Sequence, residues 1–557
     1  MAETDIDALA RQEWDVVVVG TGIGGATIGH ALARKGRKVL FCERGFARQA
    51  GLAEGDYAER LCSPTTRPTS TMDAKTLHRA GRWPTPVVDL TGKGGRNYIP
   101  FMGSGVGGSS ALYGMVMERF TERDFQPDRE MASGLDIGES KAWPISMAEL
   151  QPYYRQAEAL YRVRGSADPL RCDGPDLLAP PPLSAVAAAL SQRLAKHAMH
   201  PYQLPSACEY VPGCSTCQGY LCPRRCKNDA WQVALQPAIT QYGAVLIDEC
   251  EVIRLQSSGR VVTSLECVRQ GKPLRLRAGM VILAAGALAT PALLLRSASA
   301  DCSNGLANRS GRVGRNLMRH LIDMYIVKAE AREGYDNRRK EIAFNDFYHY
   351  GPDKLGTVQS FGRLPPAEMI VNSIGDDIAG GDLRWAMPLL KLVSPVLRLF
   401  LRRMVDESIS LASIVEDYPR PDNRVELSGG DRQTLVVHYR NDDDALRRIA
   451  LMRRLMKECL RSSSYRMIAD ATNNQRLAHV CGTCRMGDDS RSSVVDKNCR
   501  AHDLENLYVV DRSCFVSSGG TNPSLTIAAN ALRVAAHLAG EMALPTAGVL
   551  PARVNLS

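Results

Sequence analysis

A chain of 557 residues is long enough for two or three domains, each with its own core. Its 45% hydrophobic and 23% charged content is that of a globular protein, and no apolar stretch is long enough to cross a bilayer as a helix. The formal charge of +9 is scattered rather than gathered in a basic tract, which argues against a nucleic-acid partner.

Residues 1–5 are acidic and lack the apolar core of a secretory signal, so the expected location is cytoplasmic. The sixteen cysteines do not form a secreted disulfide framework. Most, such as Cys42 and Cys267, fall in probable core elements and read as buried reduced thiols.

Four valines at 16–19 predict a fully buried, parallel strand. Gly20, Gly22 and Gly25 follow in G-x-G-x-x-G spacing, a helix is predicted over 26–35, and a second strand over 38–42 ends at Glu43. Glycines let the backbone approach a pyrophosphate, the helix start offers free N–H groups, and an acid about 20 positions on suits a ribose diol. The set predicts a dinucleotide site, and the Glu43 carboxylate disfavours a 2′-phosphate. The motif alone does not separate FAD from NAD, but a unit opening near residue 15 leans towards FAD.

Five glycines between 103 and 114 would cost chain entropy without a purpose, and a loop lying flat on a cofactor supplies one. Ser146 and Glu149 stand at capping-box spacing and predict a helix start. Cys214, Cys217, Cys222 and Cys226 follow as C-x2-C-x4-C-x3-C, with Cys208 upstream and Pro223 behind the third. Close thiolates beside a proline hold iron–sulfur clusters; four thiolates also hold zinc, and a disulfide or plain thiols fit the same spacing. The run at 281–286, ending Ala284, Ala285 and Gly286, reads as another strand of the nucleotide sheet, with a helix opening around Thr290 and Pro291.

His320 and His502 read as structural histidines. Residues 385–404 are the most hydrophobic stretch outside the nucleotide domain, interrupted by Lys391, Arg398, Arg402 and Arg403, and Pro395 is predicted to kink a helix there. Three readings fit: a surface that touches a membrane peripherally, a lid over an apolar substrate, or a core helix with snorkelling arginines. The chain closes on His479 and Asn522, with a strand predicted over 506–511 between them and a helix over 525–538 behind. Histidine suits removal of a hydroxyl proton because its pKa lies near working pH.

Taken in this order, these motifs resemble the GMC (glucose–methanol–choline) oxidoreductases over nearly the whole chain. The resemblance implies an α/β fold: a Rossmann-like FAD-binding domain assembled from 12–130, 227–322 and 478–545. It also implies an α+β substrate-binding domain with an antiparallel sheet from 131–226 and 323–477, which includes the cysteine-rich segment 208–226. The implied reaction is oxidation of a CH–OH group to a carbonyl with hydride transfer to flavin N5, His479 acting as general base and Asn522 as the second catalytic residue. Cofactor contacts are expected from Gly20, Thr21, Gly22, Gly25, Glu43, Arg44, Gly103, Gly105, Gly108, Ser109, Tyr113, Gly114, Val252, Ala285, Gly286, Asp511, Pro523 and Thr526.

Some relatives bind FAD covalently through a histidine shortly after the glycine pair; Ser109 and Ser110 stand here, so non-covalent FAD is expected. Tyr113 replaces an asparagine that contacts the flavin in several relatives, which leaves the handling of oxygen open. The spacing of Cys217, Cys222 and Cys226 is similar to that of bacterial FAD glucose dehydrogenase catalytic subunits, which implies a 3Fe–4S cluster with Cys214 nearby and a protein electron acceptor. The substrate is expected to be an alcohol, a sugar or an apolar hydroxylated molecule. An oxidase, a flavin-dependent lyase or photodecarboxylase, and a non-catalytic binder on the same fold are the competing readings.

Overall fold

The computed structural model describes residues 6–47, 55–58, 74–91, 95–126, 142–329, 339–362, 364–380, 385, 387–429, 433–473, 477 and 479–540. The expected boundary at 130/131, the end of the last cofactor segment at 541–545, and Ala386 and Ala478 lie outside these residues.

The valine run forms β1 (Glu13–Val19), whose valines are nearly solvent-free on both faces, as a strand covered by helices on both sides requires. The chain turns through Gly20 into α1 (Ile23–Arg34), which starts inside the glycine motif rather than after it. It returns as β2 (Val39–Cys42), parallel to β1 with Val16 opposite Val39. Two distant segments complete this layer: β3 (Val245–Ile247) pairs parallel with β2, and β4 (Lys272–Leu283) pairs parallel with β1. On the far side of β4 lies β5 (Leu507–Val509), so the parallel order is β3-β2-β1-β4-β5. The strand order reverses between β1 and β4, and a crevice opens beyond their carboxyl ends at such a switch point.

Behind β4 comes α2 (Gly286–Arg296), which starts at Gly286 and carries Pro291 inside. The sequence placed its start near Thr290. The earlier start is held by Asp511, whose Oδ2 accepts from the Gly286 N–H at 2.8 Å and the Thr290 hydroxyl at 2.5 Å. The Ser146–Glu149 capping box forms as expected and opens the helix Met147–Leu160.

A second, antiparallel sheet of six strands runs in the order Tyr465–Ile468, Leu321–Lys328, Ser408–Val415, Val358–Ser360, Ile342–Phe344, Tyr202–Gln203. Leu321, Tyr325, Leu411 and Val415 pack from it against Ile449, Met452 and Met456 of the helix Asp443–Cys459. The architecture is thus a parallel nucleotide-type sheet beside an antiparallel sheet, the fold class read from the sequence.

Residues 385–404 differ from the expected core helix. Most of them form α4 (Met387–Asp406), unbroken through Pro395, which is exposed. A proline on a solvent face costs less because water takes up the carbonyl that its missing N–H would have engaged. The helix packs on α3 (Ala367–Gly380) through Leu397, Leu401 and Met404, and leaves its other apolar side in solvent. No helix among the described residues is long and apolar enough to cross a membrane.

Candidate active site

A cavity of about 850 Å³ opens at the switch point between β1 and β4. Its floor is backbone. Gly20 sits at φ 96°, a left-handed value that favours glycine, and a Cβ there would lie 2.6 Å from the Ala284 carbonyl oxygen. A Cβ on Gly108 would lie 2.8 Å from the Gly22 Cα, so the 103–114 loop closes directly onto the first glycine turn. Glu43 stands at the end of β2, and its carboxylate accepts from the Thr21 hydroxyl at 2.6 Å and from the Thr21 and Gly45 N–H groups at 3.1 and 3.0 Å. Arg44 donates to Ser104 at 2.7 Å and lies 3.9 Å over the Trp83 ring, its pKa lowered by burial.

Most residues singled out from the sequence line this cavity, including Val252, Tyr113, Gly114, Ser109, Asp511 and Pro523. Three do not. A Cβ on Gly25 would lie 2.1 Å from the Gly20 carbonyl oxygen, so this glycine serves the packing of α1 on β1. Gly105 packs near Gly81. The Thr526 hydroxyl turns away from the cavity to pair with Tyr154 Oη at 2.8 Å. None of the described residues of 385–404 lines the cavity.

His479 and Asn522 both line the cavity, and a third residue joins them. Met318 and Cys481 exchange backbone hydrogen bonds at 3.0 and 2.9 Å as an antiparallel bridge. Two residues onward on one strand and two back on the other, this register sets His320 opposite His479. The Nδ1 atoms of the two rings are 2.9 Å apart. The structural reading of His320 is corrected accordingly: it touches the candidate base.

The tautomers follow from the acceptors. His320 Nε2 lies 3.0 and 2.9 Å from the carbonyl oxygens of Ser518 and Gly519, which can only accept, so this nitrogen carries the proton. The Arg512 Nη2 is farther, at 3.3 Å, and donates to Ser518 O at 2.7 Å instead. Burial and the Arg512 charge push His320 down to about 3, so the ring is neutral and its Nδ1 accepts. His479 Nδ1 must therefore donate, which leaves the lone pair of this ring on Nε2. Burial, then His320, Arg512 and Lys340, hold His479 well below the ordinary histidine value.

Polar groups in this wall that lack protein partners include Oδ1 of Asn522, which is 7% exposed, and Nη1 and Nε of Arg512. A backbone cradle that any Cβ would fill, an acid at the end of β2 and orphaned donors and acceptors opposite form a donor set that fits FAD. Lys340, also in the wall, is lowered to about 8 by burial.

The loop leading to Asn522 is pinned by a buried triad. Lys354 Nζ lies 2.6 Å from both Asp124 Oδ1 and Glu416 Oε2, and all three side chains are solvent-free. Glu416 Oε1 accepts from the Gly519 N–H at 3.0 Å, and Tyr348, which donates to Asp124 at 2.8 Å, accepts from the Gly520 N–H at 2.9 Å.

The cysteine segment converges beside the cavity, into whose wall Gln218 and Gly219 project. Sulfur separations are 3.8 Å for Cys208–Cys214, 3.2 Å for Cys214–Cys226 and 3.5 Å for Cys222–Cys226, and Cys217 neighbours Cys222. Cys208 therefore belongs to the group that the sequence drew as Cys214, Cys217, Cys222 and Cys226. These separations are near the ~3.8 Å edge of a tetrahedron of thiolates around one ion. Three irons on separate thiolates need a wider spread.

Family models described as GMC oxidoreductase match residues 14–322 and 419–531. The chain is 31% identical over 560 residues to paromamine 6′-oxidase of Streptomyces fradiae, covering 95% of this chain and 92% of that protein. It is 26% identical over 559 residues to the fructose dehydrogenase large subunit of Gluconobacter japonicus, covering 94% and 97%. The crystal structure of pyridoxine 4-oxidase from Mesorbium loti superposes with a TM-score of 0.61 at 20% identity, covering 95% of this chain and all of that one, which speaks for the fold.

Proposed function

The chain belongs to the GMC oxidoreductase family, FAD-dependent enzymes acting on alcohol or sugar CH–OH groups, and on that premise we propose a dehydrogenase whose general base is Nε2 of His479. The observation that carries this reading is the His320–His479 contact, which leaves the Nε2 lone pair of a cavity-lining histidine available. FAD, when bound, supplies the acceptor for the hydride leaving the substrate carbon. Gly20, Thr21, Gly22, Glu43, Gly103, Gly108 and Asp511 would hold it, without a covalent bond because serines stand at 109 and 110. His479 Nε2 takes the hydroxyl proton, Asn522 fixes the substrate oxygen through its amide, and the neutral His320 ring keeps the base in its working tautomer. The wall excludes bulk water through Ile322, Phe361 and Ile414.

Two finer points belong to the same proposal. The proposed division into an FAD-binding part (12–130, 227–322, 478–545) and a substrate-binding part (131–226, 323–477) is supported by the parallel strands β1 to β5, which all fall in the first part, and by the antiparallel sheet, most of which falls in the second. The 3Fe–4S cluster expected on Cys217, Cys222 and Cys226 does not fit the sulfur separations of the loop, and iron and sulfide analysis after flavin removal tests this. Reoxidation of the reduced flavin by air separates the oxidase reading from a dehydrogenase. A cytoplasmic location suits the free thiols found at every described cysteine.

The test is an anaerobic panel of alcohols and sugars scored by bleaching of the flavin, run on the wild type and on His479→Ala. The variant is expected to keep its flavin and lose at least ~100-fold in reduction rate, the usual cost of removing a general base. Near-normal bleaching by the variant sinks the assignment, and a flavin that no alcohol bleaches favours the lyase reading.

A further inference from the structure

The chain carries an apolar face that neither the core nor the cavity uses. Along α4, Leu389, Leu392, Val393, Val396, Leu399 and Phe400 recur at helical spacing on one side, and each is at least 41% exposed. Leu392 and Val396 reach 77% and 73%. From 389 to 400 the row extends ~17 Å along the helix. Trp385, at 74% exposure, precedes it. The opposite side of the same helix is already satisfied by α3, so the exposed row is not the core face turned outward by a loose helix.

The face continues onto the second sheet. Arg466 lies 5.2 Å from the Phe400 ring centroid, and beside it Met467 and Ile468 on the edge strand Tyr465–Ile468 are 43% and 38% exposed. Exposed apolar surface on this scale marks an interaction site rather than scatter.

We propose that this face docks on an anionic lipid surface, with α4 lying in the plane of the headgroups. Charge decides the occupant. Among the described side chains, Arg398, Arg403 and Arg466 are exposed around the apolar row, Arg402 is engaged by Glu368, and Glu407 is an exposed acid just after the helix. A second copy of the chain seated on this face would bring the arginines of both copies together. A layer of lipid phosphates meets them with opposite charge, and acyl chains receive the leucine and phenylalanine side chains. The row stands on a helix, a convex shape that enters a fluid surface more readily than it seats a folded partner. The docked enzyme would lie on the membrane without spanning it.

The experiment is flotation of the full-length flavoprotein with phosphatidylcholine vesicles, with and without phosphatidylglycerol. The wild type is expected to float with the anionic vesicles, less so as salt is raised. Leu392→Asp with Val396→Asp, both at exposed positions and checked by retained flavin, should weaken this at least ~10-fold. Replacing Arg398, Arg403 and Arg466 by glutamine should cost roughly fivefold each on anionic vesicles. Wild-type protein that stays at the bottom of the gradient with anionic vesicles overturns the proposal. Flotation that neither set of variants changes overturns the assignment to this face. Concentration-dependent dimers abolished by Leu392→Asp, without flotation, assign the face to a second copy instead.

Discussion

Replacing His320 tests the catalytic geometry more sharply than replacing the base. In His320→Leu the His479 Nδ1–H loses its acceptor 2.9 Å away, on the side of the ring that faces the solvent-free His320. A buried donor left without a partner costs about 1–3 kcal/mol. Nothing then favours the tautomer with the lone pair on Nε2, so this cost falls on the reactive state, roughly 5- to 150-fold in the rate of flavin reduction. The wild-type base is held neutral well below pH 6.5 by burial and by the Arg512 charge, and both remain in the variant, so the acid limb is expected to stay below that pH while the plateau rate falls. His320→Asn keeps an acceptor near the Nδ1 position and should recover most of the rate. The assay is anaerobic stopped-flow loss of oxidised-flavin absorbance across pH, with the best alcohol from the panel. A leucine variant with the wild-type plateau rate would refute the tautomer reasoning. So would an asparagine variant as slow as leucine, which would mark the residue as a packing group alone.

The buried triad gives a stability prediction: Lys354→Met leaves Asp124 and Glu416 without their shared cation and should cost about 3–5 kcal/mol in denaturant unfolding. A loss below about 1 kcal/mol would mean that the two carboxyls are neutral in the folded protein. Acid should also unfold the protein through its neutral histidines. His30 is lowered to about 4 and His320 to about 3, with His479 also well below 6.5. The unfolded chain takes up their protons as pH falls below about 6.5 while the folded one does not, so stability present above that pH is lost towards pH 4, at about 1.4 kcal/mol per pH unit for each ring. Thermal unfolding between pH 7 and 4 measures this, and a melting temperature that stays flat over that range contradicts it.

The elements that the sequence showed plainly were those whose local chemistry has one solution. Four adjacent valines fit only a strand covered on both faces, and Gly20 and Gly25 after them stand where a Cβ would collide with Ala284 or Gly20. The Ser146–Glu149 pair fixed a helix start for the same local reason. His320 was missed because its role is not local. It is 159 residues from His479, and the Met318–Cys481 bridge, which no periodicity announces, brings the two rings edge to face. The faces of 385–404 were hidden for a related reason. Opposite the polar face of Arg398 and Arg402, that helix carries an apolar arc wider than one partner covers, so pattern alone could not say which part α3 would cover and which would stay in water.

The geometry of the closing segment depends on more than His479 and Asn522. Between Arg512 and Asn522 the backbone offers the Ser518 and Gly519 carbonyls to His320 and the Gly519 and Gly520 N–H groups to Glu416 and Tyr348. Glu416 and Tyr348 belong to the substrate-side segment, Glu416 directly after the strand Ser408–Val415, and Lys354 ties the former to Asp124, which also accepts from Tyr348. The proton position on His479 is thus set through His320 by a loop whose own place is set by the antiparallel sheet. Any change that shifts that sheet against the nucleotide layer moves the two carbonyls first and the base second. Substitutions at Glu416 or Tyr348, neither of which lines the cavity, should therefore lower the rate of flavin reduction more than they change its substrate dependence.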